Sequence, residues 1–273
     1  LNVKFTVLLS LYNRESKHNL FDCLESIKSN TIKPEQIVIV YDGPISEELD
    51  SIVTSFIKYL PIEKIKISEN IGLGNALNYG LNFCRHEIVF RMDTDDKCKS
   101  TRFERQLEII KIKNDIVLMG SAIEEFNESM TVSHGVRFSA EFHDDIINYA
   151  KRRNPFNHMS VVFKKSIIQG LGGYQHHYFM EDYNLWLRVI AAGYKTYNIP
   201  EVLVYVRGGD KMLGRRKGIP YVISEVKLAK LKYNLKIDSN AGVIISATMR
   251  ILPRLLPVFL LKQIYKVLRK SKS

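Results

Sequence analysis

Short apolar runs alternate with helix-like segments through the first ninety residues of this 273-residue chain, and that alternation limits the fold more than any other feature. Phe5–Leu9, Gln36–Val40, Ile65–Ile67 and Glu87–Phe90 read as strands. Between them lie Leu20–Ser29, Ser46–Tyr59 and Asn75–Cys84, whose apolar residues recur at helical spacing. Apolar strands joined through helices make a parallel sheet covered on both faces, so the expected class is α/β, doubly wound. Ligands of such sheets sit beyond the carboxyl ends of the strands. The segments there are Ser10–Asn13, Tyr41–Pro44, Ser68–Asn70 and Asp93–Asp96, all polar and turn-like, and one crevice lined by all four is expected.

Further along, Ile116–Met119, Val161–Phe163 and Val202–Val206 read as strands, and Asp144–Lys151 and Glu181–Ala192 as helices. The last helix carries Leu185, Trp186, Val189 and Ile190 on one face, which makes Trp186, the only tryptophan, a core residue. No internal repeat or low-complexity linker interrupts the chain. Residues 1–235 are expected to form one catalytic domain and 236–273 a basic, amphipathic helical extension.

Apolar and charged fractions of 45% and 25% are those of a globular protein. Cys23, Cys84 and Cys98 form neither a disulfide framework nor a zinc spacing, which points to a reducing cytoplasmic compartment. Leu1-Asn2-Val3-Lys4 runs straight into the first strand, and no signal peptide is expected. The formal charge of +11 calls for an anionic partner: nucleic acid, acidic lipid or a nucleotide diphosphate. Arg250, Arg254, Lys262, Lys266, Arg269, Lys270 and Lys272 follow Asp238, the last acidic residue. No stretch there offers about 20 uncharged apolar residues, so a span is not expected. A surface segment on an anionic leaflet and a helix pair packed on the domain are both compatible with it.

Arg91-Met92-Asp93-Thr94-Asp95-Asp96 ends the fourth strand with three carboxylates. If the strand alternation continues, Asp93 and Asp95 share one side and Asp96 takes the other, where it caps a turn. Paired carboxylates at such an edge suit a hard divalent cation carrying a diphosphate. Arg102 could contribute or lie on a helix surface. His176 and His177 lack a third nitrogen or sulfur ligand at zinc-like spacing, which argues against zinc.

Several ordered motifs together resemble glycosyltransferase family 2, over about Phe5 to Leu235. They are Thr6–Asn13, Ile37–Pro44, Asn70–Asn78, Arg91–Asp96, Asn154–His158 and Glu181–Trp186. The nearest flavour is that of bacterial O-antigen and exopolysaccharide transferases. The resemblance implies the GT-A fold, a single mixed, mainly parallel sheet flanked by helices. It also implies an inverting, metal-dependent hexosyltransferase, moving galactose or glucose from a UDP-sugar to a polyprenyl-diphosphate-linked saccharide. Its place would be peripheral, on the inner face of the cytoplasmic membrane, with no nucleic acid as partner.

By the same resemblance Asp42 would hold the uracil or ribose, with Tyr12, Asn13 and Asn70 lining the nucleotide pocket. Asp95 would be the firmer ligand of Mn²⁺ or Mg²⁺, and Asp93 would contact ribose or metal-bound water. Asp182 would be the base and Glu181 the binder of the acceptor hydroxyl, the choice between these neighbours staying open. His158 would line the acceptor pocket. The glycine-punctuated basic loop Gly208–Gly218 would bring Arg215 and Arg216 over the diphosphate.

Two rivals fit less well. A nucleotidyltransferase would show a glycine-rich basic loop after the first strand, where Leu11-Tyr12-Asn13-Arg14 stands instead. A non-enzymatic module for nucleic acid or acidic lipid needs no carboxylate cluster, and its strands would interleave aromatic and basic residues.

Overall fold

A computed structural model describes residues 3–208 and 218–255, in nine strands and nine helices. The strands are β1 (Phe5–Leu11), β2 (Gln36–Tyr41), β3 (Ile62–Lys66), β4 (Ile88–Arg91), β5 (Lys97–Cys98), β6 (Ile116–Phe126), β7 (Ser133–Arg137), β8 (Val162–Lys164) and β9 (Lys195–Arg207). The helices are α1 (Lys17–Lys28), α2 (Glu47–Phe56), α3 (Leu73–Leu81), α4 (Arg102–Ile112), α5 (His143–Ala150), α6 (Lys165–Gly170), α7 (Glu181–Ala191), α8 (Ile219–Asn234) and α9 (Asn240–Leu255).

One sheet runs in the order β3-β2-β1-β4-β8-β6-β9-β5, with β7 paired to the far end of β6. Its first four strands are mutually parallel; β1, β2 and β4 are buried along nearly their whole length, as strands covered by helices on both faces are, while β3 at the edge is mixed in burial. Beyond β4 the sheet is mixed: β8 is antiparallel to β4 and β6, and β6 and β9 are parallel. The expected α/β sheet is therefore present, doubly wound in its first half. The β9 strand is longer than the Val202–Val206 expectation because it continues past Pro200 through register shifts against β6.

Local chemistry fixes the elements that frame the crevice. Ser46 caps α2 by accepting from the Leu49 amide, and Glu47, Glu48 and Asp50 sit in its first turn, where the helix dipole favours acids. Phe5, Phe90 and Phe103 pack ring to ring at 4.9–5.1 Å, and so lock β1, β4 and α4 together directly behind the Asp93–Asp96 loop. Each such aromatic pair contributes about 0.5–1.5 kcal/mol beyond its area burial.

The other face of the sheet carries a second core in which Trp186 is fully buried, as its position on the apolar face of α7 requires. Tyr221, Leu228 and Ile237 join that core, so α8 and the turn after it pack against the helix bearing Glu181 and Asp182. Polar ties reinforce this packing. Buried Glu225 pairs with Arg250 of α9 at 2.7 Å, and Lys232 donates to the Lys151 carbonyl at 2.7 Å. Lys232 and Arg250 also stand over the Tyr183 ring, at 4.9 and 5.5 Å. Burial pushes the Lys232 ammonium down to about 7, with Arg250 adding to the shift.

Candidate active site

The ends of β1 and β2 build one wall of the crevice. Tyr12 is exposed there, and Asn13 accepts from the Ser46 amide at 2.8 Å, linking the β1 turn to the start of α2. Asp42 is buried at the end of β2. It accepts from the Ile71 amide at 2.7 Å, the Gly72 amide at 3.1 Å and Asn70 Nδ2 at 3.0 Å. Asn70 Nδ2 also donates to the Asp42 carbonyl at 3.1 Å. The carboxylate thus fastens the Asn70–Gly72 loop to the sheet edge. Three of its roughly four acceptor positions are used, which leaves little more than one for a ligand.

Gly43 makes this fastening possible. Its φ is +89°, and a Cβ there would stand 2.8 Å from the Asn70 amide nitrogen. Gly43→Ala is therefore expected to cost roughly 1–3 kcal/mol of stability. Thermal unfolding measures the effect, and an alanine variant that unfolds like the wild type would contradict this account of the loop.

The acidic cluster lies on the loop between β4 and β5. Oxygens of Asp93, Asp95 and Asp96 all lie within 4.8 Å of one another. Strand alternation misplaces Asp96: β4 ends at Arg91, the following residues turn, and Asp96 joins the cluster instead of pointing away. What holds it is Arg207 at the end of β9, whose amide donates to Asp96 Oδ1 at 2.9 Å. The Arg207 guanidinium donates to the Asp95 carbonyl at 3.1 Å and to Asp22 Oδ2 at 3.2 Å.

Electrostatics show what the cluster lacks. Burial pushes the Asp95 carboxyl up to about 7, with Asp93 and Glu15 adding to it. Burial, then Asp95 and Asp93, push Asp96 well above the carboxylate range. Asp93 has a countercharge, Arg91 Nη2 at 2.5 Å, whereas Asp95 forms no ion pair among the described residues. Three oxygen donors with too little positive charge fit a small hard cation such as Mg²⁺ or Mn²⁺.

Arg91 connects this loop to the opposite wall. It is fully buried, and its Nε and Nη1 have no hydrogen-bond partner among the described residues. Its charge is felt by Asp96, His158 and Glu181. Arg102 is buried, not on a helix surface. It donates to the Arg91 carbonyl at 2.8 Å and to Gln106 at 3.1 Å, and so braces the strand beneath the carboxylates.

Glu181 and Asp182 open α7 on that wall. Gly74 of α3 admits Glu181, whose Cβ would stand only 3.0 Å from any side chain at position 74. Burial pushes the Glu181 carboxyl up to about 7, Asp182 adds to the shift, and Arg91 opposes it. Asp182 accepts from Asn154 Nδ2 at 2.6 Å and from the Tyr183 amide at 2.6 Å, which orients its carboxylate. His158 Nε2 lies 2.9 Å from the Tyr174 hydroxyl, and its ring meets Trp186 edge-on at 5.9 Å. Burial and Arg91 push this imidazole well below its ordinary value, so it is neutral at physiological pH.

Among the described residues, Asp42 is joined to Asn70 by hydrogen bonds, Asp93 and Asp95 share the acidic cluster, and Arg91, paired with Asp93, is felt by Glu181 and His158. Arg215 and Arg216 lie outside the described residues. Asp96, Arg207, Arg91 and Glu15, which accepts from Thr94 at 2.7 Å, were not among the expected site residues. Only Asp96 carried a signal in the sequence, as the third carboxylate of its run.

Known proteins resemble the chain over most of its length. The glycosyl transferase family 2 model matches residues 6–171, more than half of the chain. The chain is 43% identical over 270 residues to the amylovoran biosynthesis glycosyltransferase AmsE of Erwinia amylovora, covering 98% of this chain and 100% of that one. It is 40% identical over 263 residues to the UDP-Gal:alpha-D-GlcNAc-diphosphoundecaprenol beta-1,3-galactosyltransferase of Escherichia coli, covering 96% and 95% respectively. Among solved structures, the mannosyltransferase PcManGT from Pyrobaculum calidifontis in complex with GDP-Man and Mn2+ superposes with a TM-score of 0.65. It is 16% identical, and the match covers 98% of this chain and 81% of that one.

Proposed function

The chain belongs to glycosyl transferase family 2 and has the GT-A fold, and we propose that it is an inverting hexosyltransferase of exopolysaccharide or O-antigen synthesis. The donor is a UDP-hexose, with galactose or glucose favoured, and the acceptor is a lipid-diphosphate-linked saccharide. The observation that carries this reading is the closeness of two acidic sets, Asp93/Asp95/Asp96 and Glu181/Asp182: Arg91, paired with Asp93, is felt by Glu181. Likeness over nearly the whole chain to an enzyme named for UDP-Gal and a GlcNAc-diphosphoundecaprenol acceptor supports the substrates.

In this mechanism Tyr12, Asn13, Asn70 and Asp42 hold the nucleoside at the ends of β1 and β2. A divalent cation held by Asp93, Asp95 and Asp96 would neutralise the charge that develops on the departing diphosphate. Glu181 accepts a hydrogen bond from the acceptor sugar, and His158 bounds the same pocket. Asp182, oriented by Asn154, takes the proton of the attacking hydroxyl as its oxygen bonds to the anomeric carbon. The bond from that carbon to UDP breaks on the opposite face, which inverts the configuration. Arg215 and Arg216, which follow β9 in the sequence, are assigned to steadying the diphosphate.

The test is transfer by the purified protein from a panel of UDP-sugars to a GlcNAc-diphosphate-lipid. One hexose donor is expected to give stoichiometric UDP and a β-linked disaccharide. No donor-specific turnover, together with no metal-dependent binding of UDP by calorimetry, would sink the reading.

A further inference from the structure

The outer face of α9 through Leu252 carries no charge, and that of α8 is apolar apart from Lys230, where a solvated helix pair would carry more. On α8, Ile219, Ile223, Val226 and Tyr233 recur at helical spacing on the side opposite buried Tyr221, Leu228 and Lys232, and each is more than half exposed. On α9 the exposed positions through Leu252 are Asn240, Ala241, Ile244, Ile245, Thr248, Met249 and Leu252, without one charge among them. Ile244, Ile245, Met249 and Leu252 are 57–67% exposed. Contiguous exposed apolar surface of this kind marks a docking site.

Charge narrows the choice of partner. From Gly218 to Leu252 the acids are Glu225, buried against Arg250, and half-buried Asp238. The exposed charges are Lys227, Lys230 and Lys236. Beyond Leu252 the sequence adds Arg254, Lys262, Lys266, Arg269, Lys270 and Lys272 and no acid. Apolar side chains fringed only by cations match an anionic lipid surface, whereas a two-fold pairing of this face would set the lysines against their own copies.

The opposite, buried side of α8 fixes that helix to the segment before α7: Phe179 meets Tyr221 at 6.2 Å, and His177 Nε2 lies 2.8 Å from the Ser224 carbonyl. Exposed Tyr178 meets Phe179 at 4.1 Å, with the rings tilted, just before Glu181. No helix of the described residues is long and apolar enough to cross a membrane.

We propose that the Ile223/Val226 face of α8 and the Ile245/Met249/Leu252 face of α9 form the surface by which this enzyme lies on an anionic bilayer. The role of that contact rests on the lipid-linked acceptor proposed above: α8, fixed to the start of α7 through Phe179 and His177, holds that end of the enzyme near the interface from which such an acceptor is presented.

The experiment is flotation of the full chain with vesicles of phosphatidylglycerol and phosphatidylcholine, against phosphatidylcholine alone. Wild type, Ile245→Glu/Met249→Glu/Leu252→Glu and Ile223→Glu/Val226→Glu are compared. All these positions are exposed and lie outside the catalytic machinery, and thermal unfolding checks that the variants fold. Wild type is expected to float with the anionic vesicles, and each variant to lose about tenfold or more in partitioning. UDP release with a water-soluble acceptor analogue should be unchanged in the variants, and that readout tests the transferase reading separately.

Met249→Cys carrying an environment-sensitive dye gives a second measurement, because the three native cysteines are buried. Its emission is expected to shift to the blue with anionic vesicles. Variants that float like the wild type would overturn the proposal. So would a wild type that ignores vesicles but sediments as a dimer that Ile245→Glu/Met249→Glu/Leu252→Glu dissociates, since the face would then join two copies of the chain.

Discussion

Replacing Asp95 with asparagine is expected to lower metal-supported transfer by about a thousandfold or more while the protein stays folded. The substitution keeps the shape of the side chain and removes a carboxylate that forms no ion pair among the described residues. Asp93 is tied to Arg91, and Asp96 accepts from the Arg207 amide, but Asp95 stands among like charges in a largely buried position. Its removal therefore has opposite effects on the two properties. Without metal, loss of one mutually repelling carboxylate should raise the unfolding temperature. With Mn²⁺, the wild type should gain stability by mass action and the variant little or none. Initial rates of UDP release across a Mn²⁺ titration, with unfolding curves of the same samples, measure both. Turnover of Asp95→Asn within tenfold of the wild type, or wild-type turnover that EDTA leaves untouched, would remove the metal from the mechanism.

That contrast depends on a residue whose place the sequence could show and on neighbours whose place it could not. The parallel block was legible because β1, β2 and β4 are largely apolar and almost wholly buried, and a strand buried on both faces leaves that pattern. Asp96 was misread because alternation was carried past Arg91, where the strand stops, and its orientation is set by Arg207, 111 residues away. No local pattern encodes a bond of that range. The β7 strand, Ser133–Arg137, is exposed at every position, so it has no buried face to produce a period of two. Arg102 sits in a polar stretch that looks like a helix surface, and only the Phe5, Phe90 and Phe103 packing behind it reveals that the position is internal. Recognition of the family supplied the roles of Glu181 and Asp182. Only the structure gave Glu181 its proximity to Arg91 and Asp182 its bond to Asn154.

Those two neighbours should separate cleanly by kinetics. Asp182→Asn is expected to lower kcat by about a thousandfold with little change in KM, since a positioned base typically supplies a hundred- to ten-thousandfold in rate. Glu181→Gln should keep most of kcat at its optimum but lose the pH dependence of acceptor binding. In the wild type, the carboxyl that burial pushes to about 7 ionises as pH rises through that value, and kcat/KM should climb with it. The glutamine variant should lack this limb. Stability gives an independent reading with a fixed sign. The folded value lies above the ordinary 4.5, so the ionised carboxylate costs nothing below about pH 4.5, and its penalty grows until it is complete above about 7. Glu181→Gln should therefore match the wild type in unfolding temperature at pH 4.5 and exceed it at pH 8. If Glu181→Gln instead loses the thousandfold and Asp182→Asn retains kcat, the proton goes to Glu181, and the Asn154–Asp182 pair becomes the positioning element. Comparable losses in both variants, with the pH limb retained in Glu181→Gln, would mean that neither carboxylate has the separate role assigned to it.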